Sequence, residues 1–268
     1  MSTPTPLQPT DSAPTPGDWW THWQTSPDFQ LEREFIRLLG ATQEFRRQRL
    51  LDLLAQRCYG RANAVDLKPR FDRLLVRLIK EWKFVRQFQV TAVQPAAPAQ
   101  FLMCLLPPGE TAFARLEPHE QWVRFSPLQV RYVSYQRLYL ALEARDVLNR
   151  AGYAVELAPA AIPLASGTKF KPDLMVRQGD SAQIVQVERI PQFWVPATRA
   201  RKWRRVMEAT RGQVYLVADT AGAMAQLQAE LRAMRFDRPG VLRLTNLQQA
   251  DQYLATHGTV WMVKEPLR

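Results

Sequence analysis

Two acids and an amide in the C-terminal half of the chain are spaced so that a β-hairpin would bring them together. Asp173 opens a short apolar segment, and a second apolar segment contains Gln186 and Glu188. If the polar turn between them is symmetric about residues 179 and 180, Asp173 lies opposite Gln186 and Lys171 lies opposite Glu188. Residues two apart on a strand share a face, so the polar side chains converge. Hard cations such as Mg²⁺ prefer oxygen ligands in this arrangement, which predicts a metal-dependent phosphodiesterase site.

The hairpin resembles the signature of the PD-(D/E)xK nuclease superfamily, in which an aspartate at a strand start precedes an acid-x-lysine triplet on the next strand. The resemblance implies that Asp173 and the first acid of the triplet hold the metal ion, while the lysine supports the attacking water. In this chain Gln186 stands where the superfamily usually has an acid, and Glu188 stands where it usually has lysine. Two changes in one triplet favour an inactive site, and an active site remains the alternative.

Each of these side chains also has a structural interpretation that needs no metal ion. Asp173 follows a proline and could cap the turn into its strand, and Glu188 could form an ion pair with Lys171 or Arg189. Gln186 on a buried sheet face needs a hydrogen-bond partner, because an unsatisfied buried amide costs about 1–3 kcal/mol. Asp173 is its natural partner, with or without a metal ion. Both interpretations stay open at the level of sequence.

Neighbouring groups could complete a catalytic set. Lys171 or Lys169 could replace the missing triplet lysine in space. Glu143 lies on the predicted helix before the sheet, where nuclease relatives sometimes add a third acid, although a lone glutamate on a helix is more often exposed to solvent. The candidate catalytic residues are Asp173, Gln186, Glu188 and Lys171, and the candidate metal ligands are Asp173 and Glu188.

The balance of charge favours an anionic partner. The chain has 36 Lys and Arg residues against 25 Asp and Glu residues, which gives a net charge of +11 and an isoelectric point near 10.1. Nucleic acid is the usual partner of so basic a chain, although an organism that uses arginine freely would produce the same balance. The two cysteines, Cys58 and Cys104, offer neither a metal-ligand spacing nor a disulfide framework.

Neither a membrane span nor a signal peptide is expected. No apolar run approaches the roughly 18 residues that mark a transmembrane helix, and the N-terminus lacks the basic and apolar regions of a secretory signal. The expected location is therefore cytoplasmic. At 268 residues the chain is long enough for two small domains.

The N-terminal part has the element order of a winged helix-turn-helix domain. Residues 1–26 carry five prolines and no Lys or Arg, which predicts a disordered tail that contains three tryptophans near its end. The domain that follows comprises residues 27–117. Its periodicity predicts three helices, at residues 28–39, 42–60 and 64–83, and then a hairpin of two strands, at residues 84–90 and 101–106.

The third predicted helix has a strongly basic face. In winged-helix proteins this helix lies in the major groove of DNA, and the hairpin contacts the backbone or the minor groove. The alternative is a face that is merely solvated, which is how most charge runs behave. The candidate DNA-binding residues on this helix are Lys68, Arg70, Arg73, Arg77 and Lys80.

A linker, residues 118–129, leads to a second domain, residues 130–268. From residue 130 to about residue 245 its patterns predict the order α-β-β-β-α-β-α-β, which is the order of the nuclease superfamily's α/β sandwich with a mixed central sheet. The helix predicted at residues 196–211 carries enough positive charge to neutralise several phosphates. Its candidate DNA-binding residues are Arg199, Arg201, Lys202, Arg204 and Arg205.

The pairing of these two domains resembles the replication-relaxation family of plasmid and mobile-element proteins. Residues 71–86 are similar to the family's third helix and the start of its wing, and residues 105–109 are similar to its Leu-x-Pro-x-Gly motif after the wing. Residues 138–148 are similar to the helix before its sheet. Residues 171–173 with 187–188 are similar to its hairpin, whose second acid is often another acid rather than lysine. The resemblance implies a DNA-binding protein of plasmid or phage replication, relaxation or mobilisation.

Two functions from different classes follow. The first is a DNA-binding protein in which the winged helix binds duplex DNA and an inactive, basic nuclease-like domain binds phosphate, without a cofactor. The alternative is an active Mg²⁺-dependent DNA endonuclease that uses Asp173, Gln186 and Glu188. A third hypothesis is a scaffold whose tryptophan-bearing tail recruits a replication or relaxase protein. The oligomeric state stays open, and a homodimer is among the options.

Overall fold

The computed structural model describes residues 18–60, 67–90, 99–189 and 196–268. The architecture is mixed α/β: an N-terminal helical region with a small hairpin precedes a six-stranded mixed sheet with interspersed helices. The chain divides into two compact units, residues 1–87 with 103–123 and residues 88–102 with 124–268. The mixed α/β class predicted from the sequence is confirmed.

The described part of the first unit is mainly helical. Its core contains Trp23, Phe35 and Leu78, each with no exposed surface. One helix ends at Gly60, whose φ of 65° is the left-handed conformation that a helix C-terminus favours. The helices are α1 (Asp18–Gln24), α2 (Phe29–Ala41), α3 (Arg47–Tyr59), α4 (Lys68–Val76), which continues into a π-helical turn (Arg77–Glu81), and α5 (Pro107–Leu116).

Two strands, β1 (Val85–Val90) and β2 (Gln100–Leu105), form the small two-stranded sheet. Both lie where the sequence predicts them. The helix after them, α5, begins at Pro107. Proline suits the first positions of a helix because their backbone N–H groups have no partner within the helix.

The second unit consists of a sheet and the helices that pack on it. The helices are α6 (Phe125–Tyr132), α7 (Tyr135–Arg150), α8 (Pro196–Ala209), α9 (Ala221–Ala233) and α10 (Ala250–His257). The strands are β3 (Ala154–Leu157), β4 (Ile162–Pro163), β5 (Lys169–Phe170), β6 (Leu174–Gln178), β7 (Ser181–Glu188), β8 (Gln213–Ala218), β9 (Gly240–Asn246) and β10 (Val263–Leu267). Strands β4 and β5 pair separately from the main sheet.

The main sheet has the strand order β10-β9-β8-β7-β6-β3. The pairs β7–β8 and β8–β9 are parallel, and the outer pairs are antiparallel. Strand β8 is central and buried from Val214 to Ala218, as expected for an apolar run in a parallel sheet. A core cluster that includes Trp203, Leu216 and Leu227 joins α8 and α9 to this sheet.

Three sequence predictions need correction within the described residues. The predicted tail is too long, because α1 begins at Asp18 and buries Trp23; residues 1–17 lie outside the described residues. The predicted linker contains the start of α6. The single helix expected from residue 130 is divided, since Val133 has a φ of 65° and a new helix starts after Ser134.

No helix in the described ranges is long and apolar enough to span a membrane.

Candidate functional site

The β6–β7 hairpin has the register that the sequence predicts. Gln178 pairs with Ser181 and Leu174 pairs with Val185, so the turn is centred on residues 179 and 180. Gly179 occupies this turn with a φ of 57°, a conformation that glycine adopts without strain. Extension of the same register by one residue places Asp173 opposite Gln186, which the hydrogen bonds between these two residues bear out.

Asp173 is buried, and its carboxylate is fully engaged by other groups of the protein. Arg137 donates to both oxygens, from Nε at 3.1 Å and from Nη2 at 2.8 Å. The backbone N–H of Val187 donates to Oδ2 at 3.0 Å. When the Gln186 amide is oriented to satisfy both residues, its nitrogen donates to Oδ2 at 3.1 Å and its oxygen accepts from the Asp173 N–H at 3.0 Å. Asp173 therefore belongs to a closed network with an arginine, an amide and a backbone group.

Glu188, at the end of β7, is 3% exposed and forms an ion pair with Lys202 on α8. The sequence predicts an ion pair of Glu188 with Lys171 or Arg189. Lys171 is exposed instead, and Arg189 lies 3.7 Å from Asp219. The ion pair joins a strand of the sheet to a helix 14 residues further along the chain.

The two ion pairs also interact with each other. Burial lowers the pKa of the Lys202 ammonium, and the attraction of Glu188 offsets part of that effect. Burial alone would lower the pKa of the Arg137 guanidinium, but the Asp173 and Glu188 carboxylates outweigh it and raise that pKa. Each cation is therefore influenced by both acids, and the four side chains form one charge-balanced cluster.

A helix cap, a buried tyrosine and an arginine position this cluster. Ser134 caps α7 by accepting a hydrogen bond from the N–H of Arg137 at 3.2 Å, which fixes the helix turn that carries the guanidinium. The Tyr132 hydroxyl donates to the Asp173 carbonyl at 2.6 Å and accepts from the Ala158 N–H at 3.1 Å. Arg131 donates to the carbonyl of Pro172 at 2.9 Å. The chain just before β6 is thus held at the carbonyls of Pro172 and Asp173.

Beside the cluster lies a cavity of about 650 Å³ with a strongly basic lining. Of the nine described residues that line it, six carry a positive charge: Arg137, Lys169, Lys171, Arg201, Lys202 and Arg205. Gln186 lies in the same wall, while Asp173 and Glu188 are engaged by their cations. The Arg205 guanidinium donates to the Lys169 carbonyl at 2.9 Å, which ties α8 to β5. A cavity of this composition suits a phosphate-bearing anion.

The donor set does not fit a divalent metal ion. Both Asp173 oxygens already accept hydrogen bonds, Glu188 holds an ammonium group, and Gln186 turns its amide nitrogen toward Asp173. Mg²⁺ would have to displace two cations to reach these oxygens. Within the described ranges, no group of three or more His, Cys, Asp or Glu side chains is placed to share an ion. The predicted metal ligands are thus brought close together, but as partners of Arg137 and Lys202.

The candidate DNA-binding residues of the first unit differ in their surroundings. Lys68 pairs with Asp72 at 2.7 Å on the helix surface, and Arg70 lies 3.8 Å from Asp28. Arg77 lies in the π-helical turn, and its Nε is 3.0 Å from the fully buried carboxylate of Glu32. The exposed members of the set are Lys68, Arg70, Arg73 and Lys80. Arg77 has a structural partner, and its contact with DNA stays a prediction.

On α8 the candidates separate into two groups. Arg199 is buried and pairs with Glu230, which also accepts from the Trp203 indole at 3.0 Å. Lys202 pairs with Glu188. The exposed group is Arg201, Arg204 and Arg205, of which the first and last line the basic cavity.

The sequence identified the acids of the cluster but missed Arg137 and the role of Lys202. Arg137 follows a serine by three residues, which is a helix N-terminus signal, and that pattern could have placed it at the start of a helix. Nothing in the local pattern indicates that this helix start faces Asp173. Glu143, the proposed third acid, is half-buried on α7.

Comparisons with known proteins do not assign the chain to a family. No protein-family model matches the sequence, and no curated protein is significantly similar to it. The resemblances described above therefore remain predictions.

Proposed function

We propose that this chain is a DNA-binding protein whose second unit is an inactive PD-(D/E)xK-like domain that binds phosphate groups. The observation that carries the proposal is the neutralisation of both candidate acids by Arg137 and Lys202, beside a cavity lined with further cations. In a nuclease the acids would attract a metal ion. Here they leave the cavity positive, which favours the anionic backbone of DNA over a metal ion.

The exposed arginines of α8 are the main contacts in this proposal. Arg201 and Arg205 are one helical turn apart and line the cavity, while Arg204 is exposed on the same helix. Guanidinium groups bind phosphate oxygens through two parallel hydrogen bonds. Lys169 and Lys171 add positive charge from β5 and the loop after it.

In the same proposal the predicted N-terminal domain, residues 27–117, is a winged helix that binds duplex DNA. Its support is the order of α2, α3 and α4 followed by the β1–β2 hairpin, together with the exposed cations of α4. The contacts with DNA would come from Lys68, Arg70 and Arg73, and from Lys80 in the π-helical turn. We place the protein in the replication, relaxation or mobilisation of a plasmid, phage or other mobile element, where a replication or relaxase protein would be a second partner.

A binding experiment tests the basic cavity directly. We expect Arg201→Ala with Arg205→Ala to weaken the binding of duplex DNA by roughly tenfold or more, and to a similar extent for every sequence, because phosphate contacts carry no sequence information. The slope of log K against log salt concentration should become shallower by up to about 1.8, or about 0.9 for each lost contact.

The matched control removes two other exposed arginines of the second unit. Arg150 and Arg232 form surface ion pairs with Asp251 and Glu265, away from the cavity lining. Arg150→Ala with Arg232→Ala removes the same net charge, so a purely non-specific effect would weaken DNA binding equally in both double variants. Equal affinities of the cavity variant and the unmodified protein would contradict the proposal.

One observation favours the alternative, an active Mg²⁺-dependent endonuclease. Lys202 brings an ammonium group into contact with Glu188, close to the position from which the triplet lysine is missing. Such an enzyme would use Asp173, Gln186 and Glu188, and Arg137 would have to leave Asp173 before a metal ion could bind. The binding proposal requires no such rearrangement.

A further inference from the structure

The basic cavity of the second unit gathers its positive charge around one space. Its cations come from three parts of the chain: α7, strand β5 with the residue after it, and α8. Two acids, Asp173 and Glu188, neutralise part of this charge through Arg137 and Lys202. The six described cations of the lining therefore exceed the two acids by four positive charges. A ligand that matches this excess carries its negative charge at one point.

The internal phosphate groups of DNA suit the exposed arginines of α8 better than they suit the deeper cations of the cavity. Each internal phosphate carries a single negative charge, and a duplex spreads these charges along its axis, at about one for every 1.7 Å. A terminal phosphate monoester is different, because its second ionisation has a pKa of about 6 and it carries roughly −1.5 to −2 charges at pH 7. Its three acceptor oxygens are one more than an internal phosphate exposes.

The lining of the cavity is graded from exposed to buried groups. Arg201 and Arg205 are exposed, the Lys202 side chain is 18% exposed, and Phe170 and Gln186 are buried. The volume of about 650 Å³ lies in the range of small-ligand sites, so the cavity can take the end of a strand but not a duplex. Phe170 provides an apolar surface against which a terminal sugar or base can pack.

The hydrogen-bond donors of the lining suit a phosphate group with several free oxygens. The Arg205 guanidinium donates to the Lys169 carbonyl at 2.9 Å, which holds it in the wall, and it has further N–H donors that can bind a ligand. Thr198, in the first turn of α8, adds a hydroxyl group to the same lining. Planar guanidinium groups bind two phosphate oxygens at once, and ammonium groups act as point charges.

We propose that the basic cavity binds the terminal phosphate monoester of a DNA strand, so that the protein prefers phosphorylated DNA ends to internal sites. This names the DNA group that the cavity takes, and it therefore rests on the proposed function. The phosphate lies among Lys171, Arg201 and Arg205, and the terminal nucleotide packs on Phe170. A monoester has the same chemistry at a 5′ end and at a 3′ end, so the test has an arm for each.

The first test compares the affinity of the full chain for three short duplexes of one sequence, by fluorescence anisotropy with an internal label. The duplexes carry 5′-phosphates, 3′-phosphates or hydroxyl groups alone at their ends. We expect at least one phosphorylated duplex to bind about tenfold more tightly than the hydroxyl form, which corresponds to one further charge-assisted hydrogen bond. Equal affinities for all three would overturn the proposal and leave the DNA-binding function intact. Absence of binding to every duplex would overturn the proposed function as well.

Matched variants separate the cavity from general charge. Lys171→Ala with Arg201→Ala should bring the ratio of the two affinities, phosphorylated over hydroxyl, down to about one; both side chains are exposed, so the fold should persist. Arg150→Ala with Arg232→Ala removes the same charge from surface ion pairs away from the lining and should keep the ratio near tenfold. A ratio that persists in the cavity variant, or that falls equally in both variants, would overturn the proposal.

Competition distinguishes a DNA end from free phosphate as the natural occupant. Thymidine monophosphate, phosphorylated at the preferred end, should displace the bound duplex at a lower concentration than inorganic phosphate does, because Phe170 contacts the nucleoside. Displacement by inorganic phosphate at the same or a lower concentration would overturn the assignment to a DNA end, and would mean that the cavity is a site for free phosphate.

Discussion

The Arg137 guanidinium spans both carboxylate oxygens of Asp173, at 3.1 Å and 2.8 Å, and so engages the two atoms through which this acid could hold a metal ion. The second acid, Glu188, forms an ion pair with Lys202 through one carboxylate oxygen. Two cations from two different helices, Arg137 on α7 and Lys202 on α8, thus neutralise the two acids. The account of this protein as a binder rather than a nuclease depends on that neutralisation.

Removal of Arg137 should destabilise the protein. Arg137→Met leaves the buried Asp173 carboxylate without its bidentate partner, and we expect the free energy of unfolding to fall by about 1–3 kcal/mol. The second substitution Asp173→Asn should restore much of the loss, because no uncompensated charge then remains. Urea unfolding of the two single variants and the double variant measures this coupling. Additive effects would show that the two side chains do not stabilise each other.

The Glu188–Lys202 pair should show a larger effect because both groups are more deeply buried. Their side chains are 4% and 18% exposed, and Lys202→Met leaves an isolated acid inside the protein, at a cost of about 3–5 kcal/mol. Lys202→Met combined with Glu188→Gln should recover most of that stability. If the single variant unfolded at the same urea concentration as the unmodified protein, the ion pair would not exist in solution.

Neutralising both acids should strengthen DNA binding. Asp173→Asn with Glu188→Gln releases the charges of Arg137 and Lys202, so the affinity for duplex DNA should rise several-fold and the salt dependence should steepen by up to about 1.8. Fluorescence anisotropy at several salt concentrations measures both quantities. An enzyme that uses these acids to hold Mg²⁺ should instead bind DNA less tightly in the presence of Mg²⁺ when they are removed.

The two cysteines should differ in reactivity. Burial raises the pKa of the Cys104 thiol to about 11, and Cys58 is exposed. Because the thiolate is the reactive form, Cys104 should react with iodoacetamide much more slowly than Cys58 at pH 8. Its rate should rise about tenfold for each pH unit up to about pH 11, as the thiolate fraction grows. Mass spectrometry of timed samples distinguishes the two sites, and equal rates at pH 8 would place Cys104 at the surface.

Gly109 should not tolerate a side chain. A Cβ at this position would lie 2.2 Å from the carbonyl oxygen of Phe84, so Gly109→Ala forces the backbone to move and should lower stability by about 1–3 kcal/mol. The matched control is Gly222→Ala on α9, where a Cβ meets nothing within 4 Å. That substitution should be neutral or stabilise the helix by about 0.5–1 kcal/mol. Thermal unfolding of both variants checks the pair.

The hairpin at the site was predictable from the sequence because its information is local. A glycine turn between two apolar segments fixes the register, and the register alone places Asp173 opposite Gln186. The central strand β8 was predictable for a similar reason, as an apolar run between two helix patterns. The mixed α/β class followed from the order of such local elements.

The partners of the acids were not predictable, because they depend on how helices pack against the sheet. Arg137 lies 36 residues before Asp173, and its spacing from Ser134 could place it at a helix start but not opposite Asp173. The division between α6 and α7 was missed because it depends on the positive φ of Val133, a residue that rarely adopts that conformation. The burial of Trp23 was missed because proline-rich composition dominated the pattern around it.

Incubation of the full chain with supercoiled plasmid tests the central claim most directly. Samples contain Mg²⁺, Mn²⁺ or a chelator, Asp173→Ala serves as the control, and one gel reports both cleavage and mobility shift. We predict a salt-sensitive mobility shift with no cleavage under any condition, in both proteins. Metal-dependent nicking by the unmodified protein that is lost in Asp173→Ala would contradict the account, and would mean that Arg137 and Lys202 give way to a metal ion in an active endonuclease.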